Sequence, residues 1–266
     1  MKRIGVGIVG LGNMGEAILR GIYRHDRFTV AGHDVQAARQ RLMARRYRMA
    51  RLSLAELVER SAVVVLCVKP QEMDGVLTEI AARVQSRHTV ISIAAGIGTG
   101  YIEKFFSGNV PVVRVMPNMG ALIGEGISAF CRGRYATAQA GRLTRILFGT
   151  VGALFEVPEK QMDAVTAVSG SGPGFIAFFL AAFVKAARRA GLPADLAALF
   201  CRQTLCGTAG VLARLRIAPE ELVRRVASKG GTTEAGLAVL QAAGLERMMV
   251  KTVQAAAARA RRLSKR

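Results

Sequence analysis

Apolar residues in the first part of the chain form short continuous runs, and segments with helical periodicity separate these runs. Continuous apolar runs are typical of strands in a parallel sheet, because helices cover both faces of such a sheet. Strands are predicted at residues 6–9, 28–31, 62–68, 89–93, 111–116, 127–130 and 152–157. Their alternation with helical segments predicts a doubly wound α/β sheet.

The pattern changes after Pro158, where helical stretches rich in Ala, Leu and Arg replace the strands. We therefore predict an α/β domain over residues 1–158 and an all-helical domain over residues 159–266. The longest apolar run, residues 175–184, is too short to cross a bilayer, so no membrane segment is expected.

The first predicted strand leads directly into the sequence G-x-G-x-x-G, and a helical pattern follows. In this context the first glycine permits a tight turn, the second lets the backbone approach a pyrophosphate, and the third lets the helix pack closely. Backbone N–H groups at the helix start then form an anion site. The predicted phosphate-binding residues of this Rossmann-like turn are Gly10, Gly12, Asn13, Met14 and Gly15. The alternative is an ordinary turn between a strand and a helix.

Asp34 follows the second predicted strand, nineteen positions after Gly15, where an acidic residue can bind the adenosine ribose. Such a carboxylate usually favours NAD over NADP because it repels a 2′-phosphate. Arg39 and Arg41 could offset that repulsion, so the sequence leaves the cofactor phosphate open. Asp34 could also cap the helix that begins near Gln36, and the two roles are compatible.

Other candidate residues lie at the ends of later predicted strands. Ligands of doubly wound sheets bind beyond the carboxyl ends of the strands. The residues that we predict to contact the same dinucleotide are Lys69, Pro70, Ala94, Ala95, Gly96 and Asn118.

The helical part of the chain contains two glycine-rich segments, residues 169–174 and residues 228–233. In the first, Pro173 is suited to the start of a helix. Both segments place free N–H groups and hydroxyls at predicted helix starts, so both could hold a carboxylate. The alternative is a pair of helix–helix turns with glycine for geometry and Ser or Thr for capping.

The chain is strongly basic, with 38 Lys and Arg against 18 Asp and Glu, a net charge of +20. This charge could attract nucleic acid, an anionic membrane or small anions. The charges are spread along the chain and Trp is absent, so we expect a solvated basic surface and no nucleic-acid partner.

The four cysteines and three histidines have no metal-binding spacing, so no metal is expected and the thiols are predicted to be reduced. The first residues superficially resemble a signal peptide, but glycines interrupt their apolar stretch. We therefore expect a cytoplasmic protein.

Six motifs together resemble one enzyme family, the pyrroline-5-carboxylate reductases, which make L-proline. The motifs are GLGNMG at 10–15, VKP at 68–70, SIAAG at 92–96, MPN at 116–118, SGSGP at 169–173 and SKGGTT at 228–233. They occur in the family's order and spacing, and the last one is the most specific match.

The resemblance implies a Rossmann domain followed by an all-α dimerisation domain, and an intertwined homodimer that often forms a ring of dimers. It implies hydride transfer from NADPH, or alternatively NADH, to C5 of a small cyclic imino acid, the last step of proline biosynthesis. By motif match, the catalytic residues would be Thr233, nearest the imine nitrogen, and Ser228. The substrate-binding residues would be Gly230, Gly231, Thr232 and Ser171, while Lys69, Ala95 and Asn118 would lie along the cofactor.

The sequence departs from the family pattern in the helical part. The family usually has Pro at the position of Lys229, Ala-Tyr at Gly174 and Phe175, and acidic residues near Ala181 and Lys185. These departures keep another cyclic imine open as the substrate. A relative of the β-hydroxyacid dehydrogenases would need a lysine such as Lys185 as proton donor, and a non-catalytic nucleotide-binding protein is the remaining alternative.

Overall fold

The computed structural model describes residues 3–23 and 25–264, and their contacts divide the chain into two compact units. The first unit comprises Met1–Ser171 together with Ala255–Arg266, and the second comprises Gly172–Gln254. The second unit is therefore inserted between two segments of the first.

The first unit is built on one sheet. Its strands are β1 (Ile4–Val9), β2 (Phe28–His33), β3 (Ala50–Arg51), β4 (Val63–Leu66), β5 (Thr89–Ser92), β6 (Val112–Met116), β7 (Gly126–Arg132) and β8 (Gly152–Glu156). They lie in the order β3-β2-β1-β4-β5-β6-β7-β8. Neighbouring strands are parallel except β6 and β7, which are antiparallel.

Helices connect the strands and form the rest of the chain. They are α1 (Asn13–Ile22), α2 (Ala37–Tyr47), α3 (Leu54–Arg60), α4 (Met73–Ile80), α5 (Thr99–Glu103), α6 (Ala138–Gly149), α7 (Met162–Val165), α8 (Gly172–Arg189), α9 (Ala194–Leu215), α10 (Pro219–Val226), α11 (Thr232–Ala242) and α12 (Leu245–Leu263). The described residues after Pro158 contain no strand, which agrees with the sequence pattern.

The central strand β4 shows why the sheet is doubly wound. Its four residues are fully buried, and successive side chains point to opposite faces. Val63 and Val65 pack in one core with α1 and α6, whereas Val64 and Leu66 pack in another with α3 and α4. The predicted α/β class is confirmed, and β3 and α5, which are too short to show a periodicity, are additions to the predicted elements.

The segment at residues 169–174 is not an open turn between helices, which corrects the sequence-based prediction. α8 begins at Gly172, so Pro173 does lie in a first helical turn, but Thr166–Gly170 before it form a π-helical turn. The backbone N–H of Ser171 donates to the Thr166 carbonyl oxygen at 2.9 Å. The wider π spacing accommodates Pro173, which has no N–H of its own.

The helices of the second unit expose much apolar surface. The exposed fractions are 78% for Phe178 and 57% for Phe200. The run at residues 175–184 is part of a longer helical stretch, Glu159–Arg189, and this stretch and α9 are both long and apolar enough to cross a membrane. In an apolar 18-residue window of each stretch only 6% and 11% is buried, so these apolar faces need a covering surface.

Candidate active site

The first glycine turn, residues 10–15, leaves β1 and enters α1. Gly10 has φ +90°, and a Cβ there would lie 2.8 Å from the Cys67 carbonyl oxygen. A Cβ at Gly15 would overlap the Gly10 carbonyl oxygen. Both positions therefore require glycine, the first for the turn and the second for the close approach of α1.

Gly12 keeps one side of this turn open. None of the described residues has a heavy atom within 4 Å of a Cβ built on Gly12. Gly12 is also the N-cap of α1, and within the described chain no side chain caps this helix. The N–H groups of Asn13 and Met14 begin the helix, so the turn can accept a pyrophosphate as an anion at a helix N-terminus.

The carboxyl ends of the parallel strands lie level beside this turn. The register pairs Val9 with Leu66, and Leu66 with Ser92, so β1, β4 and β5 end together. The predicted contact residues Lys69, Pro70, Ala94, Ala95, Gly96 and Asn118 follow the ends of β4, β5 and β6. Asn118 is tied to the sheet because its Oδ1 accepts the Ile127 N–H at 3.1 Å. The topology thus gathers the predicted cofactor residues at one edge.

Asp34 lies at the same edge, directly after β2. Its Oδ2 accepts the Leu11 N–H at 2.7 Å, and its Oδ1 accepts the Gln36 N–H at 2.9 Å. The predicted capping role needs correction, because Gln36 occupies the N-cap position of α2. Asp34 instead joins the first glycine turn to the segment before α2.

The second glycine turn, residues 228–233, precedes α11 in the second unit. Gly230 has φ +70°, a conformation that favours glycine. The Gly231 N–H donates to the Ser228 carbonyl oxygen at 2.9 Å, and a Cβ at Gly231 would overlap the Ser228 Oγ. The backbone conformation at Gly230 therefore favours glycine, and a side chain at Gly231 would require the Ser228 hydroxyl to move.

The hydrogen bonds of this turn leave the start of α11 available. The Gly230 N–H donates to the Glu234 carboxylate at 2.6 Å. Gly231 is the N-cap, and no side chain in the described ranges caps α11, so the first N–H groups of the helix come from Thr232 and Thr233. These two N–H groups, with the nearby hydroxyls, form the part of the turn that suits a carboxylate.

Comparison with known proteins decides the family. Residues 159–263 match the family model described as pyrroline-5-carboxylate reductase dimerisation, and residues 5–96 match that of NADP oxidoreductase coenzyme F420-dependent. Pyrroline-5-carboxylate reductase of Synechocystis is 35% identical over 99% of both chains. The chain belongs to the pyrroline-5-carboxylate reductase family.

Further relatives of this family member agree in sequence and in fold. Pyrroline-5-carboxylate reductase of Mycobacterium leprae is 33% identical over 97% of this chain and 96% of its own. The reductase structure from Coxiella burnetii superposes with a TM-score of 0.93 at 27% identity and covers 100% of both chains. The Plasmodium falciparum reductase with NADP bound gives 0.85 at 26% identity over 99% of both. A Rossmann-like domain and a helical dimerisation domain are thereby confirmed for this chain.

Gly96 lies close to Leu263, a contact that the sequence analysis did not predict. Gly96 is buried with φ +77°, and a Cβ there would lie 2.6 Å from the Leu263 Cβ, near the end of α12. The contact joins positions far apart in the chain, so no local sequence signal could have found it.

A network of charged and polar groups around the buried Arg114 supports the same loop. Glu159 accepts the Thr99 N–H at 2.8 Å and the Thr99 hydroxyl at 2.7 Å, just after the loop at 94–96. Arg114 is 3% exposed and lies 3.8 Å from Glu159 and 3.9 Å from Asp163. The Ser264 hydroxyl donates to the Asp163 carboxylate at 3.2 Å. The end of α12 is therefore tied to the strands that carry the predicted cofactor residues.

Cys67 and Cys131, which lie near the sheet, are held in the protonated form. Burial raises the pKa of the Cys67 thiol to about 12, and burial with the charge of Glu159 raises that of Cys131 to about 12. Both thiols therefore stay protonated near neutral pH. Within residues 3–23 and 25–264, no group of three or more His, Cys, Asp or Glu could hold a metal ion.

Proposed function

We propose that this chain reduces L-1-pyrroline-5-carboxylate to L-proline with NAD(P)H, the last step of proline biosynthesis. The observation that carries the proposal is the second glycine turn, an uncapped helix start bearing three hydroxyls in a chain that matches the family along its whole length. A small carboxylate fits such a site without a charged side chain.

The residues of the first unit suit a dinucleotide. The N–H groups of Gly12, Asn13 and Met14 would hold the pyrophosphate, and Gly10 and Gly15 give the turn its shape. Asp34 would bind the adenosine ribose. The residues proposed to lie along the rest of the cofactor are Lys69, Pro70, Ala94, Ala95, Gly96 and Asn118.

The second glycine turn would bind the substrate. The N–H groups of Thr232 and Thr233 and the Ser228 hydroxyl would hold the substrate carboxylate. Gly230 and Gly231 would contribute through the turn shape, because their own N–H groups bond to Glu234 and Ser228. Ser171 remains proposed for the substrate through its hydroxyl, since its N–H is already bonded within the π-helical turn.

The reaction needs few catalytic groups from the protein. When bound, NAD(P)H supplies a hydride that forms the new C–H bond at C5 of the ring. A cyclic imine is basic enough to be protonated near neutral pH, so a strong general acid is not needed. The Thr233 hydroxyl would hydrogen-bond the ring nitrogen and help retain its proton. Holding the reacting groups in contact is worth up to roughly 7–11 kcal/mol.

We propose that the exposed apolar helix faces are covered by a second copy of the chain, with a ring of dimers as a further assembly. A dimerisation domain is present, and faces centred on Phe178 and Phe200 would be unstable in water alone. A dimer that buries them would leave a cytoplasmic protein without a membrane segment. Light scattering of the purified protein in detergent-free buffer tests this, and a species the size of a single chain would contradict it.

A spectrophotometric assay tests the activity. NAD(P)H oxidation should depend on pyrroline-5-carboxylate, with lower kcat/KM for cyclic imino acids of other ring sizes. A preference for another imine would point to the departures near Lys229. Nucleotide binding without oxidation of any imine would support a non-catalytic protein instead.

A further inference from the structure

Two arginines near the predicted ribose site are held by one carboxylate. The Arg39 Nη2 donates to Glu16 Oε2 at 2.5 Å, and the Arg46 Nη1 donates to Glu16 Oε1 at 2.7 Å. The Tyr47 hydroxyl donates to the same Oε1 at 2.9 Å. The Glu16 and Arg39 side chains are 19% and 25% exposed, so this ion pair is shielded from much of the solvent, whereas Arg46 is 60% exposed. The Arg39 guanidinium is therefore already paired with a carboxylate of the protein.

Burial acts against the charged form of Glu16, but the hydrogen bonds from Tyr47 and Arg39 and the charges of Arg39 and Arg46 outweigh it. Together they lower the pKa of Glu16 below its ordinary value of 4.5. Glu16 is thus ionised near neutral pH, and it keeps both arginines.

Arg39 and Asp34 bind the two sides of one residue in the first glycine turn. The Arg39 Nε donates to the Leu11 carbonyl oxygen at 2.6 Å, while Asp34 accepts the Leu11 N–H at 2.7 Å. A second backbone bond, from the Gln36 N–H at 2.9 Å, fixes the other oxygen of Asp34. The negative charge of Asp34 therefore has a set place beside the turn, and it cannot swing away without breaking both bonds.

Arg41 does not take the position of Arg39 beside Asp34. It is exposed on α2, and residues two positions apart on a helix do not share a face. His33, next to Asp34, has its Nδ1 3.2 Å from the Leu52 carbonyl oxygen. Among the described residues, Asp34 accepts two backbone N–H groups and makes no ion pair, so a phosphate placed beside it would meet an unpaired carboxylate.

We propose that this chain selects NADH over NADPH, with Asp34 repelling a 2′-phosphate and Glu16 withholding the arginine that would otherwise attract it. The inference deepens the proposed function and rests on the same nucleotide site. A 2′-phosphate at neutral pH carries up to two negative charges, so an uncompensated carboxylate nearby disfavours it.

Direct binding tests the preference. Fluorescence titration of the substrate-free protein with each reduced cofactor should give a Kd for NADH about tenfold or more below that for NADPH at low salt. The Kd for NADPH divided by that for NADH should fall as the salt concentration is raised, because salt screens the repulsion between Asp34 and the 2′-phosphate. Equal binding, or tighter binding of NADPH, would overturn the proposal.

Two variants assign the preference to its residues. Asp34→Ser removes the negative charge beside the turn, and Glu16→Gln weakens the ion pair that holds Arg39. Each variant should therefore lower the Kd ratio, defined as the Kd for NADPH divided by that for NADH, several-fold. Glu221→Gln is the matched control, because Glu221 also binds two arginines, Arg224 and Arg225, in the second unit. Its Kd ratio should equal that of the unmodified protein. An unchanged ratio in both test variants, with melting curves that show folded protein, contradicts the assignment.

The activity assay separates this inference from the proposed function. Reduction of pyrroline-5-carboxylate with tighter NADPH binding would uphold the function and reject the inference. Tighter NADH binding without reduction of any imine would uphold the inference and reject the proposed function.

Discussion

The two glycine turns use the same local chemistry but are held in different ways. The first turn packs against backbone groups just beyond the ends of β1 and β4, with Gly10 against Cys67 and Gly15 against Gly10. The second is held by bonds within its own few residues, from Gly231 to Ser228 and from Gly230 to Glu234. The first turn is therefore shaped by the fold around it, while the second is a local structure on an exposed helix start. Substitutions should be more damaging in the first.

The largest effect is expected from Gly15→Ala. The added methyl overlaps the Gly10 carbonyl oxygen, so α1 must move away from the turn. We expect a loss of about 3 kcal/mol in the free energy of unfolding and a Kd for NADH raised about a hundredfold. Urea unfolding and fluorescence titration measure the two. The control is Gly75→Ala in α4, where no described residue lies within 4 Å of the added methyl. Normal cofactor binding by Gly15→Ala would show that the turn tolerates displacement.

Thr233→Ala examines the second turn as a chemical site. We expect kcat to fall about ten- to a hundredfold while the Kd for reduced cofactor is unchanged, because the hydroxyl acts on the substrate nitrogen. Thr233→Ser keeps the hydroxyl and should retain most of the rate. Steady-state kinetics and cofactor titration separate the two effects. An unchanged kcat would remove Thr233 from the mechanism.

Gly231→Ala examines the shape of the second turn. Its methyl would overlap the Ser228 Oγ, which can rotate, so the damage should be moderate. We expect the KM for pyrroline-5-carboxylate to rise about tenfold with little change in thermal stability. Gly236→Ala is the control within α11, since among the described residues none approaches that position within 4 Å. A KM equal to that of the control would mean that the turn shape does not govern substrate binding.

The smallest effect is expected from Glu16→Gln, which leaves both turns intact. The loss of charge-assisted bonds to Arg39 and Arg46 should cost about 1 kcal/mol of stability near neutral pH. The lowered pKa of Glu16 means that its contribution is present above its unfolded pKa and is lost as pH falls through the folded value. The difference in the free energy of unfolding between the variant and the unmodified protein should therefore shrink as pH falls below about 4.5. A constant difference at acid pH would show that the charge of Glu16 is not the cause.

The hydrophobic pattern was enough to predict seven of the eight strands of the sheet. β4 is apolar throughout and β5 is buried along its length because helices cover both of their faces, and in β4 this burial is directly visible in the sequence. The turn at 169–174 was read wrongly, since glycine, serine and proline favour a break. The π-helical turn absorbs Pro173 without one, and propensity alone does not reveal it.

The site was only partly accessible to sequence reasoning. The first glycine turn has a spacing with a mechanical basis, so its residues could be named. The ion pair between Arg39 and Glu16 and the close approach of Leu263 to Gly96 depend on how distant segments pack, and neither residue type nor spacing indicates them. The division into domains at Pro158 and the assignment of individual site residues stay predictions.

The packing of Leu263 on Gly96 and the bond from Ser264 to Asp163 have a consequence for translation. The nucleotide-binding unit cannot reach its final form on the ribosome until residues at the far end of the chain have emerged. The inserted helices must be synthesised first, so the residues of the Rossmann sheet are made long before these two contacts can form.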